Sequence, residues 1–154
     1  KEFHENAGGI RNPMRAVETM RYGYIFNPWS DGERLFKSAT LYSPTYKAMA
    51  TAARDSAQID ARIQHFNHRS VEEFYDYEKD PDALHNLIND PHYADEIEAL
   101  RSSLQAWMEG MNDPALDAFL NRHDPEALRA FVETQDAESA ARLAGGGTRK
   151  RNKK

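Results

Sequence analysis

The stretch that decides the fold is MRAVETMRYGYIF, residues 14–26. Its aromatic and β-branched residues favour two strands, joined by a short turn at Met20–Arg21. The second strand is expected to end before Pro28, because proline has no amide hydrogen to donate to a sheet ladder. The segment EEFYDY, residues 72–77, is typical of a third short strand. These runs predict a small antiparallel sheet of three to four strands.

Helical segments are predicted on both sides of the third strand. One begins at Ser43, because a serine followed directly by proline is typical of a helix start. Its apolar spacing continues or restarts along the chain to about Phe66. After a turn at Asp80, we expect a helical turn through Leu84 and Leu87.

The clearest helix covers residues 92–111. Its apolar residues recur mostly at steps of three and four, which is the spacing of one helix face. They are Tyr93, Ile97, Leu100, Leu104, Trp107, Met108 and Met111. We expect the whole stripe, including Trp107, to lie in the core. Two further helical segments are predicted after Asp113 and Asp124, each of which precedes a proline.

This order of elements predicts an α+β fold in which a C-terminal helix packs on the small antiparallel sheet. Residues 1–112 would form one unit, residues 113–144 a helical extension with extra helices, and residues 145–154 a flexible, disordered basic tail. With one helix packed on one face, a sheet of three to four strands leaves its second face without a packing partner. We therefore expect the second face to pack on a part of the protein upstream of residue 1.

Composition excludes several classes of function. The chain has 154 residues, with 25 acidic and 20 basic side chains and a formal net charge of −5. That balance argues against a dedicated nucleic-acid binder, which needs a basic face. No apolar run approaches the ~20 residues of a membrane span. Cysteine is absent, which excludes disulfides, a thiol nucleophile and a zinc-thiolate site.

The two ends of the sequence differ in character. The chain begins KEFHE, with neither an initiator methionine nor a signal peptide, and we interpret it as a possible C-terminal fragment. Five basic residues and no acid follow Gly145. A solubilising terminus is favoured there over contact with a polyanion or a membrane surface.

Several motifs resemble the C-terminal subdomain of the formylglycine-dependent sulfatases. The resemblance covers about residues 3–112, and residues 113–154 match no family. It is carried by MRAV and YI in residues 14–25, by EFYDYEKDP in residues 73–81, and by Asn86-Leu87, Asp90-Pro91, Tyr93 and Leu100 to Trp107. Phe3-His4-Glu5 and Tyr42 to Tyr46 are more particularly similar to the heparan N-sulfatases, the N-sulfoglucosamine sulfohydrolases.

The resemblance implies hydrolysis of sulfate esters or sulfamates on a sulfated sugar or polysaccharide. It also implies calcium and formylglycine as cofactors of the full-length enzyme, neither bound by this segment. The Cys/Ser-x-Pro-x-Arg motif that yields formylglycine is absent here. We therefore expect the isolated segment to be inactive, with an upstream α/β catalytic domain as its partner. An exported location, whether periplasmic, extracellular or lysosomal, is implied by the family.

Three residues before the first strand are the candidate substrate-binding groups. His4 and Glu5 lie in a glycine-rich loop that, by the resemblance, borders the active site, where they could hydrogen-bond sugar hydroxyls or the glucosamine amine. Arg11 offers planar, bidentate donors to a sulfate or carboxylate. An exposed polar loop is the alternative interpretation. No catalytic or metal-binding residue is predicted in this segment.

Other conspicuous residues favour structural interpretations. Arg15 is interpreted as an ion pair that anchors its strand to the upstream domain. Trp29 could stack on a sugar ring, although packing is at least as good an interpretation. The remaining candidates are best explained as turn, cap or surface residues, because they lack calcium-loop or zinc spacing: Asp76, Asp80, Asp82, Asp90, His65, His68, His85 and His92.

Two non-catalytic functions stay open as alternatives. The first is a protein-interaction module that docks another protein on the open face of its sheet. The second is a carbohydrate-binding module.

Overall fold

The computed structural model of the chain describes residues 10–146. It contains three strands, β1 (Arg15–Glu18), β2 (Tyr22–Phe26) and β3 (Glu72–Asp76). The α-helices within the described range are α1 (Pro44–Ala52), α2 (Ala57–His68), α3 (Ala94–Met111), α4 (Leu116–Leu120) and α5 (Pro125–Gly146). Short 3-10 turns at Ala39–Tyr42 and Pro91–Tyr93 lead into α1 and α3. The predicted α+β class is confirmed.

The strands form one antiparallel sheet in the order β1-β2-β3. Val17, Tyr24 and Phe74 are aligned across it, so their side chains share one face. The predicted turn between β1 and β2 is closed by Thr19, whose hydroxyl accepts a hydrogen bond of 2.8 Å from the amide of Tyr22. This small sheet provides the platform on which the helices pack.

Side-chain caps set the starts of the first helices. The Ser43 hydroxyl accepts from the Tyr46 amide at 3.1 Å, as the Ser-Pro pattern predicts. A second serine, Ser56, caps α2, which shows that the helix restarts rather than continues. Asp90 accepts from the His92 amide at 2.9 Å ahead of α3.

The helical turn predicted through Leu84 and Leu87 is wrong. Ala83 has a φ of 48°, which interrupts a right-handed helix at that point. The Asp80 carboxylate accepts from the amides of Leu84 and His85 instead. A side chain therefore satisfies the amides that a helical turn would have used.

A hydrophobic core lies between one face of the sheet and the helices α3 to α5. Phe26 of β2 and Phe119 of α4 meet edge to face, with ring centroids 5.1 Å apart. The helices after residue 112 thus join the same core as α3. Its buried members are Tyr24, Phe26, Phe74, Tyr93, Ile97, Leu100, Leu104, Met108, Ala115, Ala118, Phe119 and Leu128.

Two members of the predicted apolar stripe lie outside this core. Trp107 is 51% exposed and Met111 is 46% exposed, which corrects the prediction that the whole stripe is buried. The face of α3 that meets the sheet follows Leu100, Leu104 and Met108. Trp107 is one residue, or about 100° of helical rotation, away from Met108, so it points to the side of the sheet.

The second face of the sheet is covered in part by this chain itself. Glu73 and Tyr75 of β3 are buried there, and the Tyr75 hydroxyl lies 2.8 Å from the His65 ring on α2. Ala16 of β1 stays exposed on the same face. Among residues 10–146, no helix combines the length and the apolar character that crossing a bilayer requires.

Candidate functional site

The segment before β1 is held by helix α5. Arg11 is only 4% exposed, and its Nη1 donates to Gln135 Oε1 at 2.8 Å and to Glu138 Oε2 at 2.5 Å. Gln135 is itself buried, whereas Glu138 is largely exposed. Since a buried cation is costly unless it is paired and hydrogen-bonded, these two acceptors fix Arg11 against the helix.

A second arginine joins the loop after β2 to the same helix. Arg34 makes a bidentate pair with Asp136, at 2.9 and 2.8 Å. The hydrogen bonds from Arg34 lower the pKa of the Asp136 carboxyl and raise that of the guanidinium. The Asp31 carboxylate accepts from the Glu33 and Arg34 amides, and this turn presents Arg34 to the helix.

A cavity of about 540 Å³ lies between α5 and these two segments. Its size is within the range of small-molecule sites, roughly 300–1,000 Å³. The lining combines apolar side chains with charged and polar ones: Ile10, Leu35, Ala140 and Leu143 with Arg34, Lys37, Asp136 and Ser139. This loop-and-helix region, residues 10–13 and 33–37 with α5, is the candidate site and is called the α5 groove below.

The strongly buried carboxylates elsewhere serve the fold. Glu72 of β3 accepts from the Tyr24 hydroxyl at 2.6 Å and from Arg101 Nε at 2.8 Å. Arg122, in the turn before α5, lies 3.4 Å from the same carboxylate. Burial, and then the negative charge of Glu72, raises the pKa of Tyr24. Glu72 therefore connects the sheet to α3 and to the turn that precedes α5.

Asp76, at the end of β3, is a second buried carboxylate with a structural role. Arg21 donates to both of its oxygens, at 3.3 and 3.1 Å, and the Tyr93 hydroxyl donates at 3.0 Å. The Arg21 hydrogen bonds lower the pKa of Asp76 to about 2. This network joins β3 to the start of α3.

Glu73 forms a third such network on the opposite face of the sheet. Arg69 donates to it at 2.5 Å, the Tyr75 hydroxyl at 2.8 Å, and Asn27 Nδ2 at 3.0 Å. Burial raises the pKa of Tyr75, and burial lowers the pKa of the neighbouring His65. With its carboxylate enclosed by donors, Glu73 holds α2 to the sheet.

The structure places some of the residues singled out from the sequence and not others. His4 and Glu5 lie outside the described residues. Arg11 lies in the α5 groove, and its role towards a substrate stays a prediction. Arg15 forms the predicted ion pair, but the partner is Asp113 of this chain, at 2.8 and 3.0 Å, in the turn between α3 and α4.

The other candidates behave as structural residues. Trp29 is 1% exposed and stacks on Phe36 at 5.3 Å, which confirms the packing interpretation. The Asp90 side chain caps the turn before α3, as the sequence predicts. Within residues 10–146, no three His, Asp or Glu side chains are grouped as a metal ion would require.

The inward-facing residues of α5 were not predicted from the sequence. Within residues 125–144, the buried positions are Leu128 in the core, Gln135 at Arg11 and Ser139 at the cavity, at steps of seven and four residues. That spacing marks one helix face, but two of its three members are polar. An apolar pattern search misses such a face, and only a search for buried polar stripes would have found it.

The chain is similar in sequence to two known sulfatases. The chain is 28% identical over 109 residues to N-sulphoglucosamine sulphohydrolase of Homo sapiens, which covers 66% of this chain and 21% of that protein. It is also 28% identical over 112 residues to an ulvan-active sulfatase of Formosa agariphila, covering 66% of this chain and 17% of that protein. The chain is related to sulfatases over about two thirds of its length.

The relationship concerns only part of those proteins. The sulfatase-related segment spans about a fifth of the length of the two curated relatives. No protein-family profile matches the chain.

Proposed function

We propose that this chain is the C-terminal portion of a sulfatase that hydrolyses sulfate ester or sulfamate groups of a sulfated sugar, amino sugar or polysaccharide. The observation that carries the proposal is its similarity to two sulfatases from very different organisms. The name of one relative refers to a sulfated amino sugar, and that of the other refers to ulvan. The substrate class is taken from what these two names share.

In this proposal the segment forms one wall of the substrate pocket. The loop ahead of β1 would face the sugar, with His4 and Glu5 as hydrogen-bonding groups. Arg11, whose guanidinium is enclosed by its contacts with α5, would hold the end of that loop in place.

The chemical step would belong to an upstream α/β catalytic domain, on which this segment packs. Formylglycine would supply the nucleophile there, and calcium would stabilise the sulfate charge. The Cys/Ser-x-Pro-x-Arg motif that yields formylglycine is absent from this chain. The segment's own work is to bind and orient the sugar. The whole protein would be exported, as sulfatases of this kind commonly are.

Activity assays on the full-length protein and on the isolated segment test this division. The two substrates are N-sulfoglucosamine, for sulfamate cleavage, and 4-nitrophenyl sulfate, for ester cleavage. We expect the full-length protein to release sulfate from at least one of them and the segment to release none. Activity of the segment alone, or a full-length protein inactive on both, would contradict the proposal.

A protein-interaction module is the second candidate function. The half-exposed Trp107 and Met111, one turn apart on α3, favour it because they form an apolar surface next to the core. A free module should be monodisperse in solution and unfold cooperatively. A segment that has lost its catalytic domain should instead aggregate or bind a hydrophobic dye.

A further inference from the structure

We propose that α5 positions residues 10–13, the end of the loop ahead of β1, with Gln135 and Glu138 as positioning residues that act through Arg11. The inference rests on the proposed function, because it concerns the loop that we propose borders the sugar. It assigns a role to the helical extension after residue 112, for which the sulfatase resemblance offers none.

The contact of Arg11 with α5 is well defined. The guanidinium is nearly enclosed, and its acceptors Gln135 and Glu138 lie on one face of α5, about one helical turn apart. These contacts join residues 124 and 127 positions apart in the sequence. Charge-assisted hydrogen bonds of this kind are short, directional and stronger than neutral ones. The end of the loop therefore takes its position from α5.

Three arginines connect the start of the chain to the helical extension in the same way. Arg11, Arg15 and Arg34 all come from the first 34 residues, and each pairs with an acceptor after residue 112. Two of the three, Arg15 and Arg34, are bidentate, which fixes orientation as well as distance. The extension thus holds both segments that border the cavity.

In the proposed function the chemical step occurs in the catalytic domain, so a shift of the loop should affect substrate binding. A loop that only binds the sugar should change KM when it shifts, and should leave kcat nearly unchanged. Displacements of about 1 Å can cost on the order of 10²-fold in activity. Because Gln135 still accepts from Arg11 and Arg15 still holds the adjoining strand β1, we expect a smaller effect, roughly tenfold in KM.

The test uses the full-length protein with three variants on α5. Glu138→Ala removes an acceptor of Arg11, and Glu138→Gln keeps an oxygen acceptor at the same length. Glu133→Ala is the matched control, because Glu133 is an exposed residue of the same helix. KM and kcat are measured with N-sulfoglucosamine and with 4-nitrophenyl sulfate, which has no sugar.

We expect Glu138→Ala to raise KM for N-sulfoglucosamine about tenfold, with kcat within about twofold. KM for 4-nitrophenyl sulfate should not change, Glu138→Gln should recover most of the loss, and Glu133→Ala should match the unaltered protein. An equal effect on both substrates, a fall in kcat alone, or no effect would overturn the inference.

Hydrogen exchange separates this inference from the proposed function. In the full-length protein, Glu138→Ala should speed amide exchange over residues 10–14, and Glu133→Ala should not. If the unaltered protein is inactive on both substrates, the proposed function fails, and the exchange result alone decides whether α5 holds the loop. Unchanged exchange over residues 10–14 would overturn the positioning role.

Discussion

Helices α3 and α5 pack in the same molecule by different means. α3 meets the sheet through a row of apolar side chains that includes Leu100, Leu104 and Met108. α5 contributes Leu128 to the core, and its next buried positions are the polar Gln135 and Ser139. One helix is thus placed by hydrophobic burial and the other by hydrogen bonds to arginines. The first kind of contact stabilises the fold, and the second kind sets the position of a loop.

The largest effect should come from the apolar contact of α3. Met108→Ala removes a fully buried side chain beneath the sheet, and large-to-small core substitutions of this type cost about 2–5 kcal/mol. We expect the free energy of unfolding in urea to fall by about 3 kcal/mol. Ser102→Ala, at an exposed position of the same helix, should change it by less than about 0.5 kcal/mol. A similar loss in both variants would mean that α3 is not placed by its apolar face.

A smaller loss is expected when α5 loses its buried amide. Gln135→Leu removes an acceptor of Arg11 and leaves a buried guanidinium with fewer partners. Such a change costs about 1–3 kcal/mol, measured by urea unfolding. Glu133→Leu, at an exposed site, is the control. If Gln135→Leu were neutral, hydrophobic burial would suffice to hold α5 as it holds α3.

The buried Asp76 carboxylate near the start of α3 predicts that the stability of the fold falls at low pH. Arg21 lowers the pKa of Asp76 from 3.8 to about 2. Because this folded-state pKa is below the unfolded one, the ionised carboxylate stabilises the fold above about pH 4, and that stabilisation is lost as the pH falls towards 2. Asp76→Asn should flatten the fall of the melting temperature across this interval. Asp82→Asn, at an exposed turn, should leave the curve as steep as in the unaltered chain.

The smallest effect is expected for the outer arginine pair of α5. Asp136 is about half exposed, and exposed ion pairs contribute roughly 0–1 kcal/mol. Asp136→Ala should therefore cost less than about 1 kcal/mol in low salt, and the difference should shrink in 1 M NaCl because salt screens the pair. A loss of several kcal/mol that persists in salt would show that this pair contributes as much as the buried contacts of α5.

The fold and the candidate site differ in how far sequence reasoning reached. The strands around Met20–Arg21, the Ser43 cap and the main span of α3 were all predicted, because each depends on residues close in sequence. The exposure of Trp107 was not predicted, since an apolar stripe does not show which part of it meets the sheet. The hydrogen bonds of Arg11 with α5 were missed for a related reason: no local pattern connects residues more than 120 positions apart.

The class of fold and the relationship to sulfatases follow from strand spacing, helix caps and the EFYDYEKDP motif, all of which are local features of the chain. The partners of the arginines depend instead on how the chain packs. Arg15 pairs with Asp113, and Arg11 reaches Gln135 and Glu138. Arginine can form a bidentate pair with any suitably placed carboxylate. The choice among the many acids of this chain is therefore made by packing, which brings distant segments together.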